Sequence, residues 1–266
     1  MTKSNFMKPT QLVLMAMLFT SITTQVRASF IQLGETNYFQ DFNSLASSGK
    51  SKVLPNGWRI QEYGDEDNQI PADNGSRSLG GIYSYGANGS TDRALGTLTD
   101  SDGNSGIFGA SFQNSGFGAI SRLNISYTGE EWRLGVAGHQ NRLQFQYSLN
   151  ATSLTDNKAT WLNAPALNFL TPNLIGVGAH DGNVAANQTF ISSTISFLNI
   201  PQGGTFWIRW QEVGVDSGRN GDGLAVDNFS ISAVPEASTA LAAFGAIGFL
   251  CWSFWKKQDS LDIKTA

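Results

Sequence analysis

Cysteine is almost missing from this 266-residue chain; Cys251 stands alone. One thiol makes no intrachain disulfide, so an exported form of the protein must rely on a large core. Histidine is nearly as scarce. His139 and His180 leave little for imidazole metal centres or a Ser-His-Asp triad. Charge is thin as well, with 14% Asp, Glu, Lys and Arg against about 25% in average soluble domains. That disfavours long solvated helices and coiled coils. A basic excess is also lacking. The net charge of −4 and pI near 5.1 argue against non-specific nucleic-acid binding. What the chain does have is glycine (29 residues) and aromatic mass, with 17 Phe, 7 Trp and 6 Tyr. That is too much apolar surface for a disordered chain.

Both ends read as addresses. Lys3 and Lys8 precede the apolar stretch Leu12 to Phe19, and Val26-Arg27-Ala28 fits a small-x-small cleavage site. The pattern predicts a signal peptide over 1–28, removed by signal peptidase to leave Ser29 first. A second apolar run extends from Ala240 to Trp255, with Trp252 and Trp255 near its end and Lys256-Lys257 directly after it. As a helix it would be about 24 Å long, slightly short of the ~30 Å hydrocarbon core, and residues 237–239 extend it. The basic pair predicts one transmembrane helix over 240–255, with residues 29–233 outside the cytoplasm.

Immediately before this run stand Val234, Pro235, Glu236, Ala237, Ser238 and Thr239. This motif, one apolar run and the pair Lys256-Lys257 occur in the order of the PEP-CTERM sorting signal of exopolysaccharide-producing Gram-negative bacteria, which the tail resembles. Ala237 stands where that family has its second proline. The resemblance implies an exosortase-type membrane protease as partner and delivery to the cell envelope or surface matrix.

Between the ends, residues 29–233 carry 11 Lys+Arg and 18 Asp+Glu, hence −7. Leu143, Phe145, Tyr147 and Leu149 alternate with Arg142, Gln144, Gln146 and Ser148. Leu123, Ile125 and Tyr127 alternate with Arg122, Asn124 and Ser126; Phe206, Ile208 and Trp210 alternate with Thr205, Trp207 and Arg209. Ile191, Ile195, Phe197 and Asn199 share one parity, opposite Thr194 and Leu198. A period of two marks strands with one buried face. Gly, Asn, Asp and Ser clusters punctuate them, and no segment keeps a helical period for three turns. The expectation is one all-β domain, an antiparallel sandwich of jelly-roll, concanavalin-like type. Apolar parity is even at Leu224 and Val226 but odd at Phe229 and Ile231, which predicts a bulge at Asp227-Asn228.

Several stretches here, among them Phe39-Gln40-Asp41-Phe42-Asn43-Ser44-Leu45, Pro55-Asn56-Gly57-Trp58, Phe206-Trp207-Ile208-Arg209-Trp210 and Asp222-Gly223-Leu224-Ala225-Val226-Asp227-Asn228-Phe229, resemble a recurrent domain of bacterial secreted proteins that carries the same sorting tail. That family has no assigned activity, so the resemblance implies a fold and a location.

Candidate chemistry is sparse. Asp216, Asp222 and Asp227 cluster in a Gly-rich loop and the following strand. Converging carboxylates repel unless neutralised, and calcium suits an exported oxygen site; Arg219 is the competing neutraliser. Asp100, Asp102 and Asn104 alternate as in a calcium loop or an ordinary turn. Glu130 and Glu131, adjacent on a strand, point to opposite faces and do not flank one glycosidic bond; one of them is expected to pair with Arg133 or Arg93. Arg93, Arg133 and Arg209 read as internal fasteners of nearby carboxylates. Trp207 and Trp210 differ in parity, so one faces outward. The leading expectation is a non-catalytic sandwich associated with extracellular polysaccharide or surface matrix. A concanavalin-like polysaccharide hydrolase and a structural adhesin segment stand beside it. Facing carboxylates lined by tryptophan would favour the hydrolase, and an aromatic face without paired acids would favour binding.

Overall fold

In the computed structural model, residues 30–64, 67–215 and 218–235 are described. The expected signal peptide over 1–28, the membrane helix over 240–255, and Asp216, Glu236, Ser238, Thr239, Lys256 and Lys257 lie outside the described residues. Among the described residues no helix is long and apolar enough to cross a membrane.

Among the described residues the chain forms sixteen strands. The first half of the chain gives β1 (Ile31–Leu33), β2 (Tyr38–Gln40), β3 (Lys50–Ser51), β4 (Trp58–Tyr63), β5 (Ile70–Asp73), β6 (Gly81–Tyr85), β7 (Ala94–Leu98) and β8 (Ser105–Asn114). The second half gives β9 (Ile120–Leu134), β10 (Arg142–Ser148), β11 (Leu162–Asn163), β12 (Phe169–Leu170), β13 (Gly178–Ala179), β14 (Gln188–Ile195), β15 (Thr205–Val213) and β16 (Gly223–Pro235). Two single turns of 3-10 helix, Pro165–Leu167 and Ala185–Asn187, complete the regular structure among the described residues.

The first sheet runs β1-β8-β15-β10-β11, with β4 also on β8 and β12 also on β10. The second runs β13-β9-β16-β7-β6-β5-β3, with β14 on β9 and β2 on β16. Their inner faces enclose one core, so the expected all-β sandwich is what the sequence forms. The sheets are antiparallel apart from two short parallel pairs, β1 with β8 and β5 with β6.

Aromatics fill the space between the sheets. Trp58 and Trp210 stack at 6.0 Å between ring centroids, 11° from parallel. Trp210 also meets Phe108, Tyr127, Phe145 and Phe229 at 5.1–5.6 Å. Trp58 Nε1 donates to Tyr38 Oη at 2.9 Å, so the polar atom of a buried indole is satisfied.

Two local features break the alternation of the strands. The expected bulge is present: the β9–β16 register shifts between Asp227 and Ser230, and Asn228 has φ of +50°. Leu224 and Val226 therefore face the core on one side of it, and Phe229 and Ile231 on the other. The parity expected over 191–199 holds at Ile191 and Ile195 but not beyond. Phe197 takes φ of +61°, turns out to full exposure and lets Leu198 turn in.

Candidate functional site

The core-facing residues of the first sheet are Trp58, Phe108, Phe112, Leu143, Phe145, Phe206, Ile208 and Trp210. Alternation therefore sends Arg59 and Gln61 of β4, Trp207, Arg209 and Gln211 of β15, and Arg142, Gln144 and Gln146 of β10 to the outer face. Register places Gln146 opposite Arg209 and Gln144 opposite Gln211. Asn163 of β11 lies opposite Gln146.

These side chains form one hydrogen-bonded lattice. Arg209 Nε donates to Gln146 Oε1 at 2.9 Å, and Gln211 Nε2 donates to Gln144 Oε1 at 3.3 Å. Both Gln144 Nε2 and Gln146 Nε2 donate to Asn163 Oδ1, at 3.1 and 2.8 Å. The Arg209 guanidinium lies 3.7 Å over the Trp161 ring, a cation–π contact. Among the described residues of β4, β8, β10 and β15, the only carboxylates are Glu62 and Glu212. Both fall on the inward parity.

The segment after β10 crosses this face. Leu154 and Ala151 pack on Ile107 and Trp207, and Leu154 O accepts from Arg209 Nη1 at 3.0 Å. Gly109 makes the crossing possible, because a Cβ there would meet Leu154 Cδ1 at 2.9 Å and Ile208 O at 2.1 Å. A groove remains between Arg59–Gln61 and Thr152–Thr155, with Trp207 in its floor. Of the two tryptophans that differ in parity, Trp207 is the one on the outer side, yet the crossing segment buries it.

The acidic candidates go elsewhere. Asp222 sits directly before β16 in a buried polar network. Its Oδ1 accepts from Gly135 N at 2.7 Å, and its Oδ2 from Thr171 Oγ1 at 2.5 Å. Glu212 Oε1 accepts from Asp222 N at 2.8 Å and Asn141 Nδ2 at 2.7 Å, and its Oε2 accepts from Thr99 N at 2.6 Å. Glu131 Oε1 lies 2.8 Å from His180 Nδ1, and Glu131 Oε2 accepts from Asn173 N at 3.0 Å. Burial pushes Glu131 up to about 7 and Glu212 up to about 8, against the hydrogen bonds they accept. Burial raises Asp222 as well.

Asp227 lies five residues further along an extended chain, about 16 Å away. It keeps company with Glu130. Burial and then the Glu130 charge push Asp227 up to about 8; burial pushes Glu130 up to about 7, although its Oε2 accepts from Trp132 Nε1 at 2.9 Å. Asp227 Oδ2 accepts from Asn228 Nδ2 at 2.7 Å, and its Oδ1 is buried without a donor. Asp222 and Asp227 are therefore not brought together around one calcium ion. Among the described residues no group of three or more His, Cys, Asp and Glu is placed to hold a metal.

Asp100 accepts from Gly80 N, Asp102 N and Asn104 N at 2.9–3.0 Å, the turn reading of that segment. Burial acts to raise its pKa, but these bonds outweigh it and hold the carboxyl below the usual range. Neither glutamate partners Arg93 or Arg133. Arg93 donates to Ser84 O, Ser84 Oγ and Asp73 O, and Arg133 to Gly75 O and Ser76 O. The Asp73 and Ser84 carbonyls that take the Arg93 guanidinium belong to strands β5 and β6, and Asp73 O accepts from Gly86 N as well, so the arginine uses a second lone pair of a bonded carbonyl. Thr171, Asn141 and the pairing of His180 with Glu131 had no sign in the sequence that placed them. The one readable sign of the lattice was that the polar partners in the β10 alternation are Gln and Arg rather than Lys and Glu.

No family model matches the sequence, and no curated protein does. Among solved structures, the CBM22-1 xylan-binding domain of Paenibacillus barcinonensis Xyn10C is similar at 12% identity, over 77% of this chain and 99% of that one, with a TM-score of 0.36. The family 11 carbohydrate-binding module of Clostridium thermocellum is similar at 14% identity, over 77% and 99%, with a TM-score of 0.33. The K3 adhesin domain of Porphyromonas gingivalis Lys-gingipain is similar at 11% identity, over 74% and 98%, with a TM-score of 0.39. At TM-scores below 0.5 these likenesses assign neither ligand nor activity to this chain.

Proposed function

We propose that the chain is an exported, envelope-sorted, non-catalytic sandwich that binds extracellular polysaccharide on the outer face of its first sheet. The observation that carries this reading is the lattice of Gln144, Gln146, Gln211, Asn163 and Arg209, braced on Trp161. A sugar presents vicinal hydroxyls that donate and accept together, and a carboxamide offers both roles in one plane. A lattice already held by its own bonds loses little side-chain freedom on binding. The acids support the same reading. A glycosidase needs two carboxyls facing an open cleft, whereas Glu131, Glu212 and Asp222 are engaged with backbone and side-chain donors inside the fold.

The addresses complete the proposal. Signal peptidase releases the chain at Ser29, the run 240–255 holds it in the inner membrane, and an exosortase-type protease reads the motif around Pro235 and Glu236.

Affinity electrophoresis of the full chain in gels cast with xylan, mixed-linked β-glucan or alginate tests the binding face. The expected result is retardation by at least one of these. Gln146→Ala combined with Gln211→Ala should weaken it tenfold or more while the melting temperature stays within a few degrees. Equal retardation of wild type and variant would remove this face from the proposal, and no retardation in any gel would remove the polysaccharide.

A further inference from the structure

One end of the sandwich carries apolar side chains that nothing in the fold requires. The β8–β9 turn holds Phe117, 90% exposed, and the segment between β14 and β15 holds Phe197, fully exposed. Neither belongs to a core cluster. Phe197 also adopts the left-handed backbone region, which bulky residues seldom occupy.

The platform beneath them is firm. Ile120 and Ile200 exchange backbone hydrogen bonds at 2.9 and 3.2 Å, and Leu198 N donates to Ser121 O at 3.0 Å. Asn114 Nδ2 ties the two segments together by donating to Gly118 O at 2.8 Å and Ile200 O at 2.9 Å.

The chain leaves the sandwich at this same end. Pro235 pairs with Ile120, and Val234 O accepts from Ser121 Oγ at 3.2 Å. The apolar run begins five residues later at Ala240. Five residues reach about 18 Å at most, so whatever takes up that run lies within this distance of Pro235. Arg122, exposed beside Phe197, lines a shallow groove with Ser121, Ser196 and Leu198. Glu35 approaches the β8–β9 turn, so the end has little net charge and its phenylalanines dominate.

We infer that Phe117 and Phe197 dock the sandwich onto the lipid bilayer surface, with Arg122 at the phosphate level. This rests on the proposed reading of 240–255 as a membrane span. While that span is in place, the docked end stands its processing motif at the membrane surface in one orientation and turns the first sheet's outer face away from the tether.

The test uses the full chain with Cys251→Ser, reconstituted in phosphatidylcholine vesicles that contain nitroxide-labelled lipid. An environment-sensitive fluorophore is placed at Phe117→Cys, at Phe197→Cys, or at Phe190→Cys as control. Phe190 is 71% exposed on β14, away from this end. Quenching by the labelled lipid should be at least twofold stronger at 117 and 197 than at 190. Equal quenching at all three positions, in protein that floats with vesicles after an alkaline carbonate wash, overturns the docking alone. Protein that does not float after that wash overturns the span and the docking with it. Protection of 117 and 197 that grows with protein concentration and ignores the nitroxide lipid assigns the surface to a second copy of the chain and overturns the inference.

Discussion

Asp227 shows what a single buried acid does to this fold. Its carboxyl, 3% exposed, lies beside Glu130, and one oxygen has no donor. Burial and that neighbour place its folded pKa at about 8, far above the ordinary aspartate value of 3.8. Between these values the folded state holds a proton that the unfolded chain has released. Stability is therefore full below about pH 4, falls as pH rises, and levels off above about pH 8. Glu130, Glu131 and Glu212 are raised for the same first reason and act in the same direction. The melting temperature of the wild type should fall steadily from pH 5 to pH 8.5. Asp227→Asn, neutral throughout, should come closest to it at pH 5 and melt increasingly higher than it toward pH 8.5. A variant curve parallel to the wild type across that range would refute the assignment. None of this was legible in the sequence. The residues were visible, but which acids face each other depends on a register and a bulge that bring Asp227 toward Glu130 and leave Asp222 with Glu212.

At the scale of elements, β16 is the most legible part of the chain. A parity change between Val226 and Phe229 needs one extra residue, and Asn is among the few side chains that tolerate positive φ. Asn228→Val should cost about 1–2 kcal/mol, since a β-branched residue resists the left-handed region. Asn228→Gly should cost much less. Both remove the amide bond to Asp227, so the difference between them, measured by urea denaturation, isolates the backbone; equal losses would sink the claim. The segment after β14 was less legible for a related reason. Alternation predicted Phe197 inward with Ile191 and Ile195, but a single left-handed residue reverses parity without any Gly, Asn or Asp to announce it. The arginines misled in a different way. Sequence proximity to carboxylates, Glu130 and Glu131 among them, suggested ion pairs, whereas the backbone carbonyls of Ser84, Asp73 and Gly75 were the partners.

For the whole molecule, the fold was readable because alternation, turn clusters and aromatic content agreed with one another. The proposed binding face was not. A lattice of glutamines on neighbouring strands exists only after β10, β11 and β15 are paired in register, and the sequence separates Gln146 from Arg209 by 63 residues. The core was readable in kind though not in arrangement. Trp210 stacks on Trp58 and touches four further rings. Trp210→Ala should therefore lower stability by about 3–5 kcal/mol, seen as a shift of the urea midpoint with the slope unchanged.

The place of β16 has a mechanical consequence. The strand that leads to the tail is not an edge; it is bonded to β9 on one side and to β7 and β2 on the other. A pull on the tail runs along its axis. The bonds on both flanks lie across that axis and share the load together in shear, whereas an edge strand such as β14 would peel one bond after another. In single-molecule stretching, handles at Lys158 and Ala237 should unfold the sandwich at higher force than handles at Lys158 and Thr189, at one loading rate. Equal forces would refute this. A protein tethered at one end and holding polysaccharide on its opposite sheet would then carry tension through the strand best placed to bear it.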